Sequence, residues 1–346
     1  NTSAIFGFVV TLEDLLKRIK PSHIAVAFDP AGPTFRHEAF ELYKAQRQET
    51  PEDIRWAVPR IKQILQAMNI PVLEVPGYEA DDVIGTIAYK AESQGFEVYM
   101  ATPDKDYGQL VTEHIFMYRP RHTGGFEKLG PQEVCDKYGI QNQRQVIDLL
   151  ALMGDSSDNI PGCKGVGEKT AIQLLQQFGS VENLLVNTDQ LKGAIQRKVQ
   201  EQVENIRFSY FLATIKTDVP MQFDELSLVC QEKNWNQLAS LYRELEFNSL
   251  LKQTPVDQAA LPTGKSTVGS KKAKQQEATL DLFAAIETDT TPLPLRSDAE
   301  GTPKDEKTPQ ESLEGRLVSY LLNPEVAYNP IQPIQWDALK ADSALW

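Results

Sequence analysis

Gly77-Tyr78-Glu79-Ala80-Asp81-Asp82-Val83 places three carboxylates within four positions, between an apolar run and an apolar helix-like run. Pro71 to Val75 reads as a buried strand, and Val83 to Ala91 reads as an amphipathic helix. Acids at a helix N-terminus gain from the macrodipole, and one or two would serve as ordinary caps. Three overfill that role.

Similar clusters recur along the chain. Glu97 to Ala101 leads into Thr102-Pro103-Asp104-Lys105-Asp106, the apolar segment Val146 to Met153 leads into Gly154-Asp155-Ser156-Ser157-Asp158, and His23 to Phe28 ends at Asp29. Acids set just past strand C-termini meet at one edge of an open α/β sheet, where such folds bind ligands. Packed together they repel and raise one another's pKa values unless a cation lies among them. Oxygen-only ligands suit Mg²⁺ or Mn²⁺, and no Cys or His cluster competes for the role.

With 346 residues, a net charge of −13 and 41 % hydrophobic residues, the chain has room for one or two globular domains. It carries no apolar stretch of the roughly 20 residues that span a bilayer, and no secretory core, so a soluble cytosolic protein is expected. Cys135, Cys163 and Cys230 are far apart and odd in number, which predicts free thiols. An acidic total does not exclude nucleic acid, because a local basic face can coexist with ligating acids and an acidic tail.

Taken in order, Ala4 to Ile19 has apolar residues at helical spacing and ends in Lys17-Arg18 before Pro21. The strand His23 to Asp29 follows. Thr34 to Arg47 interleaves aromatic and basic residues, including Arg36, Tyr43, Lys44 and Arg47, a composition able to hold a phosphate backbone and stack a base. Thr50-Pro51-Glu52-Asp53 opens a helix expected to reach Met68. Strand, helix, strand then give the alternation of a mostly parallel sheet, with His114 to Tyr118 as a further strand. From Pro131 the pattern turns helical, through Pro131 to Tyr138, Gln143 to Met153, Gly193 to Thr214 and Trp235 to Phe247. Between them, Pro161-Gly162-Cys163-Lys164-Gly165-Val166-Gly167-Glu168-Lys169-Thr170 spaces its glycines so that another backbone can approach. Lys252 to about Ser312 has the composition of a disordered linker.

Several of these motifs, in this order and spacing over roughly residues 1 to 251, resemble the N-terminal 5′-nuclease domain of bacterial DNA polymerase I. They are Asp29-Pro30 through Phe35-Arg36-His37, Tyr43-Lys44, Gly77 to Val83, Asp104-Lys105-Asp106, and Gly154-Asp155 through Ala171. The resemblance implies a PIN-like α/β fold, a mostly parallel sheet flanked by helices, with a helix-hairpin-helix subdomain. It divides the chain into an α/β nuclease domain at 1–130, a helical DNA-binding subdomain at 131–251, a disordered linker at 252–312 and a fragment of a further domain at 313–346. In the family the domain opens with a strand ending in an Asp ligand and a helix containing Tyr-Arg. The likeness starts after both, so a truncated start is expected, as is the absence of the polymerase domain.

The activity so implied is that of a flap endonuclease and 5′→3′ exonuclease, removing RNA primers and displaced flaps with two Mg²⁺ or Mn²⁺ ions. By resemblance, Asp29, Glu79, Asp81, Asp82, Asp104, Asp106, Asp155 and Asp158 are metal-binding carboxylates. Arg36, Lys44 and Arg47 match the basic positions of an arch or clamp that steers the scissile phosphate. Tyr43 and the turn residues Gly162, Lys164, Gly165, Gly167, Lys169 and Thr170 match DNA contacts, the turn gripping one duplex strand through a K⁺ ion. Partners implied are DNA with 5′ flaps, nicks or RNA primers, met by a monomer in a bacterial cytoplasm at the nucleoid, with no membrane.

Thr279-Leu280-Asp281-Leu282-Phe283 is close to a pattern that docks bacterial replication proteins on the sliding clamp, with Leu280, Leu282 and Phe283 as anchors. Leu317 to Asn329 weakly resembles part of the family's proofreading-like domain and is given no activity. The rival from another class is a catalytically impaired fragment that binds DNA junctions, a reading that draws only on the truncated start. An α/β phosphatase or nucleotide hydrolase also sets acids at strand ends, but gives no reason for the glycine turn or the Arg36 to Arg47 stretch.

Overall fold

The computed structural model describes residues 2–121, 125–256 and, as backbone alone, the strand 315–322. Helix α1, Ser3–Ile19, buries Ile5, Phe8, Val9, Leu12, Leu15 and Ile19 along one stripe and ends at Lys20 in the left-handed conformation. Full burial of such side chains contributes about 1.5–3 kcal/mol each. Strand β1, His23–Phe28, is buried at every position, as a central strand covered on both faces must be. The chain then forms α2 (Phe35–Ala39), α3 (Glu52–Ala67), β2 (Val72–Leu73), α4 (Ala80–Ser93) and β3 (Phe96–Ala101). Strands β4 (Ile115–Pro120) and β5 (Phe126–Leu129) follow, then α5 (Pro131–Tyr138), α6 (Gln145–Met153), α7 (Glu168–Phe178), α8 (Val181–Val186), α9 (Gly193–Glu201) and α10 (Val203–Ala213). Helices α11 (Glu225–Leu228), α12 (Trp235–Glu244) and α13 (Asn248–Leu251) complete the helical part, and β6 spans Gly315–Leu322.

The described strands form one sheet in the order β2-β1-β6-β3-β4-β5, parallel except for the β4–β5 pair. Period-two alternation assigns its two faces. Ala25, Ala27, Val98 and Met100 point into one core with α4, α6, α7 and α10. Ile24, Val26, Phe28, Tyr99 and Ala101 point into the other, with α1, α3 and α12. Because β1 and β3 run parallel, Asp29 and the Asp104 segment leave the sheet at the same edge.

The elements depart from the sequence reading in four places. The strand expected over Pro71 to Val75 is only Val72–Leu73, flanked by Pro71 and Pro76, which donate no backbone hydrogen bond. The single helix expected over Gly193 to Thr214 breaks at Gln202, whose side chain leaves the helix to bond both the amide and the carbonyl of Lys164. Asp155 and Asp158 follow helix α6, so they reach the sheet edge from the helical part and not from a strand. The position between β1 and β3, for which the family resemblance left no strand, is taken by β6: His23 to Phe28 pair with Leu317 to Leu322, and Phe96 to Ala101 pair with Gly315 to Tyr320. Such pairing depends on residues hundreds of positions apart, and local periodicity carries no trace of it.

Candidate active site

The acid-rich stretch lies at the start of α4, with Glu79 as its N-cap and Asp81 and Asp82 in its first turn. The carbonyl end of β1 contributes Asp29, whose Oδ1 accepts from the Ala80 amide at 2.8 Å. Glu79, Asp81 and Asp82 each offer an oxygen within 4.8 Å of the others, but both Asp82 oxygens are bound by Arg36, so Asp82, expected from the sequence to ligate metal, supports the site from beneath instead. Past β3, Asp104 caps a 3₁₀ turn over Lys105–Leu110 and accepts from the Asp106 amide at 3.0 Å. Asp155 and Asp158 come from the loop after α6. Lys105 Nζ binds Asp155 Oδ2 at 2.7 Å, drawing that loop to the Asp104 turn.

Two residues tie the groups together. Lys44 Nζ donates to Glu79 Oε1 at 2.7 Å and stands 3.9 Å from Asp158 Oδ2, and the Tyr43 hydroxyl donates to Glu79 Oε2 at 3.0 Å and Asp158 Oδ2 at 3.4 Å. Arg47 pairs with Asp158 Oδ1 and donates through Nε to the Ser157 carbonyl. The Lys44 amide donates to the Asp158 carbonyl at 3.1 Å.

The electrostatics divide the acids into two kinds. Burial would raise Glu79 and Asp158, but Lys44, with Arg36 beside Glu79 and Arg47 beside Asp158, outweighs it and holds both below the usual carboxylate range. Burial, then the neighbouring Asp82, pushes Asp81 well above that range; burial, then Asp104, does the same to Asp106. Asp104 is raised as well, by burial first. Burial alone would lower Lys105, yet Asp155 and Asp106 push it up.

Buried polar atoms without a partner mark where a ligand fits. Asp106 Oδ1 is one, and the hydroxyl of fully buried Tyr107, which feels the charges of Asp81, Asp104 and Asp29, is another. Repelling carboxylates, an orphan oxygen and a donor set of oxygen alone fit a hard divalent cation.

Three further expectations need correction. Arg36 does not lie over the site as a phosphate clamp: it is 1 % exposed and spends all five N–H donors inside the protein. Nη1 and Nη2 bind Asp82 at 2.8 and 2.9 Å, Nη1 also reaches Glu79 at 3.1 Å, and Nε and Nη2 reach the carbonyls of Leu212 and Thr214 at 2.9 and 2.7 Å. Tyr43 is not free to stack a base, because its ring is buried and meets His37 edge-on. Gly162 is not at the surface of its turn. Its amide donates to Ser209 Oγ at 2.8 Å, and a Cβ there would lie 2.4 Å from the Gly154 nitrogen.

Lys164, Gly165, Gly167 and Lys169 are exposed, and Thr170 is half-buried, at the turn leading into α7. The Gly165 carbonyl accepts from Lys198 Nζ at 3.0 Å. Sequence reasoning missed Lys105, Tyr107 and Lys216, whose amide donates to Asp82 Oδ1 at 2.8 Å. Lys105 had a visible signal, since it stands between two of the acids; Lys216 had none. Leu280, Leu282 and Phe283 lie outside the described residues. All three cysteines are free, and among the described residues no helix is long and apolar enough to cross a membrane.

Comparison with known proteins agrees with this arrangement. Residues 1–139 match the family described as 5′-3′ exonuclease, N-terminal resolvase-like domain, and residues 141–255 match 5′-3′ exonuclease, C-terminal SAM fold. A 5′-3′ exonuclease of Aquifex aeolicus is 40 % identical over 252 residues, covering 73 % of this chain and 85 % of that protein. DNA polymerase I of Bacillus subtilis is 40 % identical over 293 residues, covering 84 % of this chain and 32 % of the polymerase. The chain thus spans about a third of the length of the polymerases it matches. Among solved structures, a T5 5′-exonuclease with bound zinc superposes with a TM-score of 0.52 at 20 % identity, over 71 % of this chain and 90 % of that one. The catalytic core of Rad2 in complex with DNA superposes with a TM-score of 0.50 at 18 % identity, over 73 % and 84 %. At such identities the likeness carries the fold alone.

Proposed function

Because the chain belongs to the 5′-3′ exonuclease family of DNA-acting hydrolases, we propose that its acidic edge hydrolyses phosphodiesters in DNA bearing 5′ flaps, nicks or RNA primers. The observation that carries the reading is the convergence of acids from four separate segments on one edge, with raised, mutually repelling carboxyls among them.

Asp29, Glu79, Asp81, Asp104, Asp106, Asp155 and Asp158 would hold two divalent cations, Mg²⁺ or Mn²⁺, with Asp82 tied to Arg36 beneath them. When bound, such ions supply Lewis-acid neutralisation of the phosphodiester and a lowered water pKa. The chain's own cations keep the acids in place: Lys44 bridges Glu79 and Asp158, Arg47 holds Asp158, and Lys105 holds Asp155. Lys44 and Arg47, each with a side chain less than a fifth exposed, would also set positive charge beside the phosphoryl group under attack. Arg36 acts as a pillar under the site and takes no part at the substrate.

Residues 131–251 would bind duplex beside the cut. The exposed turn at Lys164, Gly165, Gly167 and Lys169, with Thr170, grips one strand by backbone, a contact blind to sequence, with K⁺ as a candidate bridge. The protein would act as a monomer in the cytoplasm, and Thr279 to Phe283 would tether it to a sliding clamp.

Asp104→Ala and Asp155→Ala test the reading. Cleavage of a 5′-flap duplex should fall below detection, while flap binding measured by anisotropy stays within about threefold, since cation ligation and phosphate gripping are separate tasks. Binding lost at unchanged thermal stability would contradict the assignment.

A further inference from the structure

With Tyr43 buried, the residues beside the acidic edge that can meet a nucleobase lie elsewhere. Phe35 precedes Arg36, Tyr78 precedes Glu79, and Phe211 precedes Leu212, whose carbonyl anchors Arg36. Their rings form one connected group. Phe35 stands 5.8 Å from Tyr78 and 6.0 Å from Phe211, and Phe211 stacks on Phe208 at 6.2 Å with 16° between planes. The Phe35 amide donates to the Gly77 carbonyl at 3.0 Å, which fixes this ring group to the loop that opens α4.

Two features separate this group from an ordinary core. Phe211 is 39 % exposed and Phe35, Tyr78 and Phe208 are half-buried, whereas Leu212 and Ala213 beside Phe211 are covered. Cations also attend the rings: the Arg36 guanidinium lies 4.5 Å from the Phe35 centroid and Lys216 Nζ lies 5.2 Å from it. A partly open aromatic surface with a lysine at its border matches the chemistry of a base with its phosphate, the ring meeting the π-face and the ammonium the anion.

We infer that Phe211, Phe35 and Tyr78 form a ledge on which the enzyme stacks the nucleobase next to the phosphate it cuts, with Lys216 facing the adjoining phosphate. The inference rests on the nuclease reading above. Stacking is indifferent to base identity, so the ledge positions the strand without selecting a sequence. Phe211 is a positioning residue: it fixes the nucleotide whose phosphate must reach the acids.

The test uses the full chain and a 5′-flap duplex carrying 2-aminopurine at each nucleotide flanking the cut, in EDTA so that the strand stays intact, with a dye at the far end reporting binding. The parent should quench one of the two probes on binding. Phe211→Ala, whose truncation touches an exposed ring, should lose that quenching and bind roughly 5- to 150-fold more weakly, the span of one base–aromatic stack; Phe211→Tyr should restore both. An abasic site at that nucleotide should weaken the parent by the same factor and leave Phe211→Ala unchanged. Binding with no quenching, or equal abasic losses in parent and variant, overturns the ledge alone. Absence of any flap binding by the parent overturns the nuclease reading and the ledge with it.

Discussion

Arg36→Ala separates a pillar from a phosphate clamp. The substitution removes the bidentate pair to Asp82 at 2.8 and 2.9 Å, the bond to Glu79 at 3.1 Å, and the donors that satisfy the carbonyls of Leu212 and Thr214. Asp82 is 0 % and Glu79 4 % exposed, so water cannot readily replace the guanidinium. Removing one partner of such a buried ion pair costs about 3–5 kcal/mol. Each carbonyl left unpaired adds to that loss. At about 2–4 °C per kcal/mol for a domain of this size, the melting temperature should drop by roughly 6–20 °C. The assay is a thermal melt in EDTA, repeated as a urea titration, with Arg47→Ala beside it as the comparison. Arg47 pairs with the partly buried Asp158, which Lys44 also holds, and its loss should cost about 1.5–3 kcal/mol. Adding Asp82→Asn to Arg36→Ala should recover part of the loss, because the stranded carboxylate is then neutral. If Arg36→Ala melts within about 2 °C of the parent while cleavage disappears, the pillar account fails and Arg36 belongs to the substrate.

Gly165 has a φ of +86°, where any side chain is strained, and its turn is exposed. Gly165→Val should therefore weaken duplex binding by about tenfold and single-strand binding far less; equal losses on the two DNAs would remove the turn from the interface. Burial raises the carboxyls of Asp81, Asp104 and Asp106, so the folded chain binds protons there more tightly than the unfolded chain. The stability these three groups contribute without metal should accordingly be lost as pH rises through those raised values, whereas Glu79 and Asp158, held low by their cations, lose theirs as pH falls through the lowered values. A divalent cation relieves the same repulsion, so Mg²⁺ should raise the melting temperature more at about pH 8 than at about pH 5; a shift independent of pH would place the cation elsewhere.

Much of the layout was legible because it is local. The apolar stripe of α1, the six buried positions of β1 and the Pro131 to Tyr138 helix each follow from spacing and flanking residues. The acids were legible for a similar reason: strand ends and helix starts are written in the sequence, and parallel strands bring their ends together. What stayed hidden depends on distant closure. Nothing near Arg36 indicates that the carbonyls of Leu212 and Thr214, some 176 positions away, close over its guanidinium. Tyr43 and Gly162 were misplaced for the same cause, since their burial is set by Asp158 and Ser209 from other segments. The β6 strand pairs along its whole length with partners about 200–300 positions earlier, beyond the reach of any windowed pattern.

The central claim is that acids gathered from separate segments make a cation-dependent phosphodiesterase at one sheet edge. It is tested most directly by incubating the chain with a 5′-flap duplex labelled at its 5′ end, with Mg²⁺ and with EDTA. The account predicts release of the flap at the junction with Mg²⁺ only, abolished in Asp104→Ala. Intact flap under both conditions despite tight binding, or cleavage that persists in Asp104→Ala, would contradict it.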